Sequence, residues 1–137
     1  MSKSLFVDSD IFIDVYSKRS SFYEDSSKLL SLAESKRFDA YTSPLVIANI
    51  YFVLQRFGGK EVAMNAIRKT RTFIGIVEMN QDVVDRAIHS GFYDFEDALE
   101  AYSAENAMMD MIVTRNIKDF KRSKISILSP SEATALF

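Results

Sequence analysis

The chain contains no cysteine and no tryptophan among its 137 residues, and its only histidine is His89. The lack of cysteine excludes disulfides, thiolate nucleophiles and zinc or iron–sulfur centres built on cysteine. A single histidine also excludes a multi-histidine metal site within one chain. Any metal site would therefore use hard oxygen ligands, which suit Mg²⁺ or Mn²⁺ better than softer metals.

Glycine and proline are scarce, with four and two residues, and no apolar run approaches the roughly 18 residues of a membrane span. With 47% hydrophobic and 26% charged residues, the composition is typical of one globular domain, predicted over residues 1–137. A cytoplasmic protein without membrane association is expected. The net charge of −2 does not indicate a nucleic-acid binder, yet residues 115–124 hold five basic residues and one acid.

Apolar strand patterns alternate with helical patterns along the chain. Ser43-Pro44 predicts a helix start, and Gly58-Gly59 predicts a helix stop. The pattern predicts an α/β fold of three α/β/α layers, with a central, mainly parallel sheet of about five strands flanked by helices. The predicted strands are 4–8, 38–42, 73–77, 111–114 and 125–128, and the main predicted helices are 10–17, 22–36, 44–57, 60–71, 81–89 and 94–108.

Acidic residues occur after two of the predicted strands and at the start of one predicted helix. Asp8 follows the first strand, Asp97 lies in the first turn of the helix before the fourth strand, and Asp119 follows that strand. A parallel sheet brings strand ends to one edge, where ligands bind, so these acids can meet there. Carboxylates holding one or two magnesium ions suit phosphodiester hydrolysis, because the metal activates a water and stabilises charge on the phosphate.

Each candidate also has a simpler interpretation. Asp8 could only cap the next helix, and Asp97 could only favour the helix dipole. Asp119 could pair with neighbouring lysines, and the basic segment 115–124 could be a solvated face. Asn49 lies in a helix that is apolar on nearly every side, so its amide either makes a structural polar contact or faces the acidic site.

Three segments together resemble the PIN-domain family, the fold of magnesium-dependent ribonucleases that includes VapC-type toxins of toxin–antitoxin pairs. Residues 5–10, Leu-Phe-Val-Asp-Ser-Asp, are similar to the family's opening strand motif. Asp97-Ala98-Leu99 is similar to its central aspartate motif, and 112–116, Ile-Val-Thr-Arg-Asn, with Asp119-Phe120 is similar to its late strand-and-turn motif. The order and spacing of these motifs cover essentially the whole chain.

The resemblance implies that Asp8 and Asp97 bind Mg²⁺ or Mn²⁺, with Asp119 as the third carboxylate. PIN nucleases commonly carry a glutamate where this chain has Asn49, and often an acid where it has Asn116. Both amides are expected to orient ligands or water in catalysis, with weaker metal affinity as a consequence. The expected RNA contacts are Ser9, Arg115, Lys118, Lys121 and Arg122.

The leading hypothesis is therefore a PIN-domain endoribonuclease that hydrolyses RNA. That it is the toxin of a type II toxin–antitoxin pair is a separate hypothesis within this one. The resemblance also implies an antitoxin partner and a homodimer. The alternative hypothesis is a weak or inactive PIN domain that binds RNA or protein, since two usual acids are amides. A receiver-like phosphoryl-transfer domain is disfavoured, because no segment clearly places a lysine after a late strand beside the acids.

Overall fold

The computed structural model describes residues 2–18 and 21–137 and contains a single five-stranded sheet flanked by helices. Strands and helices alternate as the sequence predicts, which confirms the α/β fold class. The elements are β1 (Ser4–Val7), α1 (Ser9–Tyr16), α2 (Tyr23–Glu34), β2 (Asp39–Thr42), α3 (Pro44–Arg71), β3 (Gly75–Ile76), α4 (Gln81–Ile88), α5 (Phe95–Asn106), β4 (Met111–Val113), a 3-10 helix (Ile117–Phe120), β5 (Ser126–Leu128) and α6 (Pro130–Thr134).

The strand order is β3-β2-β1-β4-β5, and every neighbouring pair is parallel. The central strand β1 is covered on both faces, and Leu5, Phe6 and Val7 are all fully buried. A continuous apolar run rather than an alternating one is what such a strand requires. This burial explains why the first strand is the clearest signal in the sequence.

Helices α2 and α5 each end two residues before the predicted boundary. Lys36 and Met108 adopt positive φ angles of 62° and 56°, which no longer continue a right-handed helix. Backbone hydrogen bonds from Arg37 N to Leu32 O and from Met109 N to Ala104 O then close the two helix ends. Hydrophobic periodicity cannot detect this change, because neither position carries the glycine that usually marks it.

Helix α3 contains the break that the sequence predicts at its glycine pair. Gly59 has φ 85° and ψ 176°, outside the helical region, and the chain resumes helical geometry directly after it. A residue with a side chain would be strained at this positive φ, whereas glycine is not. The two predicted helices therefore form one kinked element that begins with Ser43 as N-cap.

No helix within the described ranges has the length and apolar character needed to cross a bilayer. The last helix, α6, begins with a capping box: Ser129 and Glu132 each bond the other's backbone amide. The 3-10 helix after β4 was not predicted from the sequence. It carries Asp119 toward the side of the sheet at which the carboxyl end of β1 lies.

Candidate metal centre

The carboxyl ends of β1 and β4 lie side by side at the centre of the sheet. Val7 pairs with Val113, and the Asp8 amide donates to the Val113 carbonyl at 3.0 Å. The chain leaves β1 for β2 on one side of the sheet and later forms β4 on the other side. The strand order thus reverses between β1 and β4, and in open α/β sheets ligands bind in the crevice at such a point.

Asp8 is held in one orientation by two hydrogen bonds. The Ser9 amide donates to Oδ1 at 2.7 Å, and the Thr114 hydroxyl donates to Oδ2 at 2.8 Å. The residue is 6% exposed, and burial raises the pKa of its carboxyl group even though these two donors act in the opposite direction. Asp8 therefore caps α1, as the simpler interpretation predicted, and also lies at the carboxyl end of the central strand.

Helix α5 supplies two carboxyl groups on one face, since Asp97 and Glu100 are three residues apart. Burial raises the pKa of Asp97 to about 7, with further contributions from the charges of Asp94 and Asp8. Glu100 is 3% exposed, and burial followed by the Asp8 charge raises its pKa well above the usual value. The Glu100 carboxyl lies close enough to Asp8 for each group to shift the pKa of the other.

Asp10 lies on the first turn of α1 and faces the same region. Its Oδ2 accepts from the Arg115 amide at 3.3 Å and from the Asn116 side-chain amide at 3.0 Å. Burial, followed by the charge of Asp8, raises the pKa of Asp10 to about 7. Its Oδ1 is buried and has no hydrogen-bond partner in the described part of the chain.

Asp119 and Asn49 differ in their relation to these acids. Asp119 is exposed on the 3-10 helix, and its charge contributes to the raised pKa of both Asp8 and Asp97, so it shares their region. Asn49 is half-buried on α3, and across residues 2–18 and 21–137 no hydrogen bond links it to the acids. We refer to Asp8, Asp10, Asp97, Glu100 and Asp119 as the acidic cluster.

Arg115 is engaged in a structural ion pair, although the sequence suggests a phosphate contact. Its Nε lies 2.7 Å and its NH2 3.1 Å from the two oxygens of Asp14. The guanidinium carbon also lies 3.9 Å from the centre of the Phe22 ring. Because Asp14 is fully buried and also accepts from Ser26, the Arg115 head group is held away from free contact with solvent.

The other predicted RNA contacts differ in their exposure and in the contacts they make. Ser9 is half-buried and uses its amide to orient Asp8. Lys118 and Lys121 are exposed at the 3-10 helix. Arg122 lies against Gly91, where an added Cβ would come within 2.7 Å of its NH1.

The acidic cluster fits a divalent cation in its chemistry. Its carboxyl groups raise one another's pKa, and two buried oxygens, Asp10 Oδ1 and Glu100 Oε1, lack hydrogen-bond partners among the described residues. No three acidic side chains of the described ranges already form a ready metal-binding group. A magnesium ion does not need one, because it retains several waters and is commonly bound by one or two carboxylates.

Sequence reasoning assigned no site role to Glu100 or to Asp10. Asp10 was detectable as part of the resemblance motif, but its contacts come from residues after β4. Glu100 carried a usable signal, because it shares its helix face with Ala101 and Ala104, both fully buried. A charged residue within a stripe of buried small residues indicates a buried carboxyl group that needs an explanation.

The chain is similar to proteins of one family over most of its length. The sequence profile of the family described as "PIN domain" matches residues 4–118. Ribonuclease VapC1 of Aquifex aeolicus is 26% identical over 136 residues, which cover 96% of this chain and 93% of that protein.

Solved structures show the same fold at lower sequence identity. A toxin–antitoxin complex from Klebsiella pneumoniae contains a chain with a TM-score of 0.69 and 20% identity, covering 93% of this chain and 98% of that one. VapBC2 from Rickettsia felis, bound to a promoter DNA fragment, gives a TM-score of 0.68 and 20% identity, with 91% and 96% coverage.

Proposed function

We propose that this chain, which belongs to the PIN-domain family, is a metal-dependent endoribonuclease that hydrolyses RNA phosphodiester bonds. The observation that carries the proposal is the acidic cluster at the reversal point between β1 and β4. Several carboxyl groups of that cluster are crowded together with raised pKa values. The similarity to ribonuclease VapC1 over nearly the whole length supports the same activity.

Asp8 and Asp97 would hold Mg²⁺ or Mn²⁺, with Asp119 as a further carboxylate from the exposed 3-10 helix. When bound, such an ion lowers the pKa of a coordinated water and stabilises charge on the phosphate oxygens. Thr114 and the Ser9 amide keep Asp8 in a fixed orientation, which avoids reorganising a ligand during the reaction. Asn116 holds Asp10 by a hydrogen bond and so acts on the site through another residue.

Lys118, Lys121 and Arg122 are the proposed contacts to the RNA backbone. Basic side chains dominate affinity for nucleic acid because they neutralise phosphates, and this contribution weakens as salt increases. Arg115 is proposed to act differently, since its guanidinium is bound to Asp14. Its backbone amide donates a hydrogen bond to Asp10, so Arg115 helps to orient that side chain.

The decisive experiment measures cleavage of structured and single-stranded RNA with Mg²⁺ or Mn²⁺. We expect Asp8→Asn and Asp97→Asn each to reduce the rate about 100-fold or more, because each removes a charged metal ligand. Asp85→Asn is the matched control, since Asp85 is exposed on α4. Equal rates for the wild type and both site variants would refute the assignment of these acids.

A toxin role within a toxin–antitoxin pair is the proposed biological setting. The neighbours in complex with antitoxins support it at the level of fold. Expression of the wild type without a partner should arrest growth, whereas Asp8→Asn at the same protein level should not. Normal growth with active wild-type enzyme, and no short DNA-binding protein encoded beside the gene, would favour an orphan nuclease.

A second candidate function is an RNA- or protein-binding PIN domain without catalysis. Asn49 and Asn116 at usual acidic positions favour it, because each amide removes a negative charge from a cation site. Calorimetric titration of the full chain with Mg²⁺ or Mn²⁺ separates the two candidates. Binding in or below the millimolar range supports the nuclease, and no binding in that range supports the binding module.

A homodimer remains a prediction, to be checked by mass in solution at micromolar concentration.

A further inference from the structure

We propose that Glu100 is a metal-binding carboxylate of this site and replaces charge that the chain lacks at Asn49 and Asn116. The inference rests on the proposed function, since it concerns the same metal. It extends that function by a residue outside the motifs through which the chain resembles its family. Glu100 lies one helical turn after Asp97, so both carboxyl groups extend from the same face of α5.

The first support is the burial of Glu100 without full hydrogen bonding. Only 3% of the residue is exposed, and Oε1 has no hydrogen-bond partner within the described ranges. A buried polar atom without a partner lowers the stability of the fold. Such an atom in a folded protein calls for a reason, and an absent ion is one of the recognised ones.

The second support is the character of the neighbours of Glu100. The groups that act on its carboxyl are Asp8, Asp97 and Asp10, which are all acids. A glutamate with a purely structural role would be expected beside a cation, as Asp14 is beside Arg115. Among the residues described, the ion pairs of the chain do not include Glu100. A divalent cation would stabilise the ionised form of these carboxyl groups, which burial and mutual repulsion disfavour.

The third support is the closeness of Glu100 to Asp8. Each carboxyl group shifts the pKa of the other, so a cation bound by Asp8 would lie near Glu100. Asn116 does not supply this charge, because its side-chain amide is neutral and donates to Asp10 at 3.0 Å. Carboxylate oxygens suit Mg²⁺ and Mn²⁺ better than an amide does, since they are hard and charged.

The test titrates metal-free full-length protein with MnCl₂ by calorimetry and compares wild type, Glu100→Gln and Glu96→Gln. The glutamine at position 100 keeps the size and can still donate to Asp8, so a merely structural role would leave the affinity unchanged. We expect Glu100→Gln to weaken Mn²⁺ binding at least tenfold, because the variant removes a charged oxygen ligand. Glu96→Gln removes an exposed charge from the same helix and should change affinity less than threefold.

An affinity of Glu100→Gln within threefold of a wild type that binds Mn²⁺ would overturn the inference and leave the proposed function intact. A wild type that binds no Mn²⁺ at millimolar concentration would overturn both. A second measurement does not depend on the variant folding: wild-type crystals soaked in Mg²⁺. A Glu100 oxygen within 2.5 Å of the ion would support the inference, since Mg²⁺–oxygen bonds are about 2.0–2.1 Å, and any longer separation would overturn it.

Discussion

Asp8 and Asp14 occupy the two ends of the same short helix, α1, yet their surroundings are opposite. Asp14 is fully buried and bound by the Arg115 guanidinium through two contacts and by the Ser26 hydroxyl. Asp8 is almost as buried, but the charges near it are those of other acids. One carboxylate is thus stabilised by a partner within the chain, whereas the other lies among acids that are proposed to bind a cation.

The contrast teaches how burial should be interpreted. Burial alone disfavours a charged carboxylate, and a partner of opposite sign offsets that cost. Around Asp14 the protein supplies the partner, so this region is a structural joint between α1 and the segment after β4. Around Asp8 the expected partner is a cation from solution. Without it the crowded acids lower the stability of the fold, as is common at functional sites.

The largest expected effect comes from breaking the Asp14 pair. Asp14→Ala removes the carboxylate that pairs with Arg115. The Arg115 side chain is only 19% exposed in the wild-type structure, so water compensates its charge poorly. We expect a loss of about 3–5 kcal/mol in the free energy of unfolding, measured by urea denaturation. Asp85→Ala, at an exposed position, should change stability by less than about 0.5 kcal/mol. A loss below 1 kcal/mol for Asp14→Ala would contradict the structural role of the pair.

An intermediate effect is expected from metal and pH at the acidic cluster. The pKa values of Asp10 and Asp97 are about 7 in the folded protein, against about 3.9 in an unfolded chain. The folded state therefore retains protons that the unfolded state loses, and metal-free stability should fall as the pH rises from about 4 to 7.

A metal ion reverses this loss only where the carboxylates are ionised. At pH 8, saturation at 100 times the dissociation constant should stabilise the protein by about 2.7 kcal/mol, seen as a higher Tm. At pH 5 the same metal concentration should have a much smaller effect, because protons compete for Asp10 and Asp97. Equal metal-induced shifts at both pH values would contradict the assignment of these acids to the site.

The smallest expected effect is a gain in stability from Asp10→Asn. The variant removes one of the crowded charges and keeps an oxygen that can accept from Arg115 and Asn116. We expect metal-free protein at pH 8 to gain about 1 kcal/mol in thermal or urea unfolding, since relief of like-charge crowding outweighs the small change in hydrogen bonding. Asp85→Asn should show no such gain. A loss of stability in Asp10→Asn would mean that its charge is compensated after all.

The sequence was sufficient for most of the fold because the signals involved are local. The buried run ending at Asp8, the cap at Ser43 and the glycine pair each specify their element through neighbouring residues, and the structure agrees in all three places. Helix ends at Lys36 and Met108 were predicted two residues too late, since a left-handed residue without glycine leaves no pattern. The short β3 was predicted longer than its two residues, as an edge strand pairs on one side only.

The sequence by itself determined that a carboxylate follows a buried central strand and that further acids recur near the ends of later elements. The tertiary structure decided which of these acids meet and which are neutralised. Arg115 and Asp14 are 101 residues apart along the chain, so their pairing depends on β1 and β4 being neighbours in the sheet. Glu100 lies near Asp8 for a similar reason: helix packing turns one face of α5 inward and buries its carboxyl group beside the other acids.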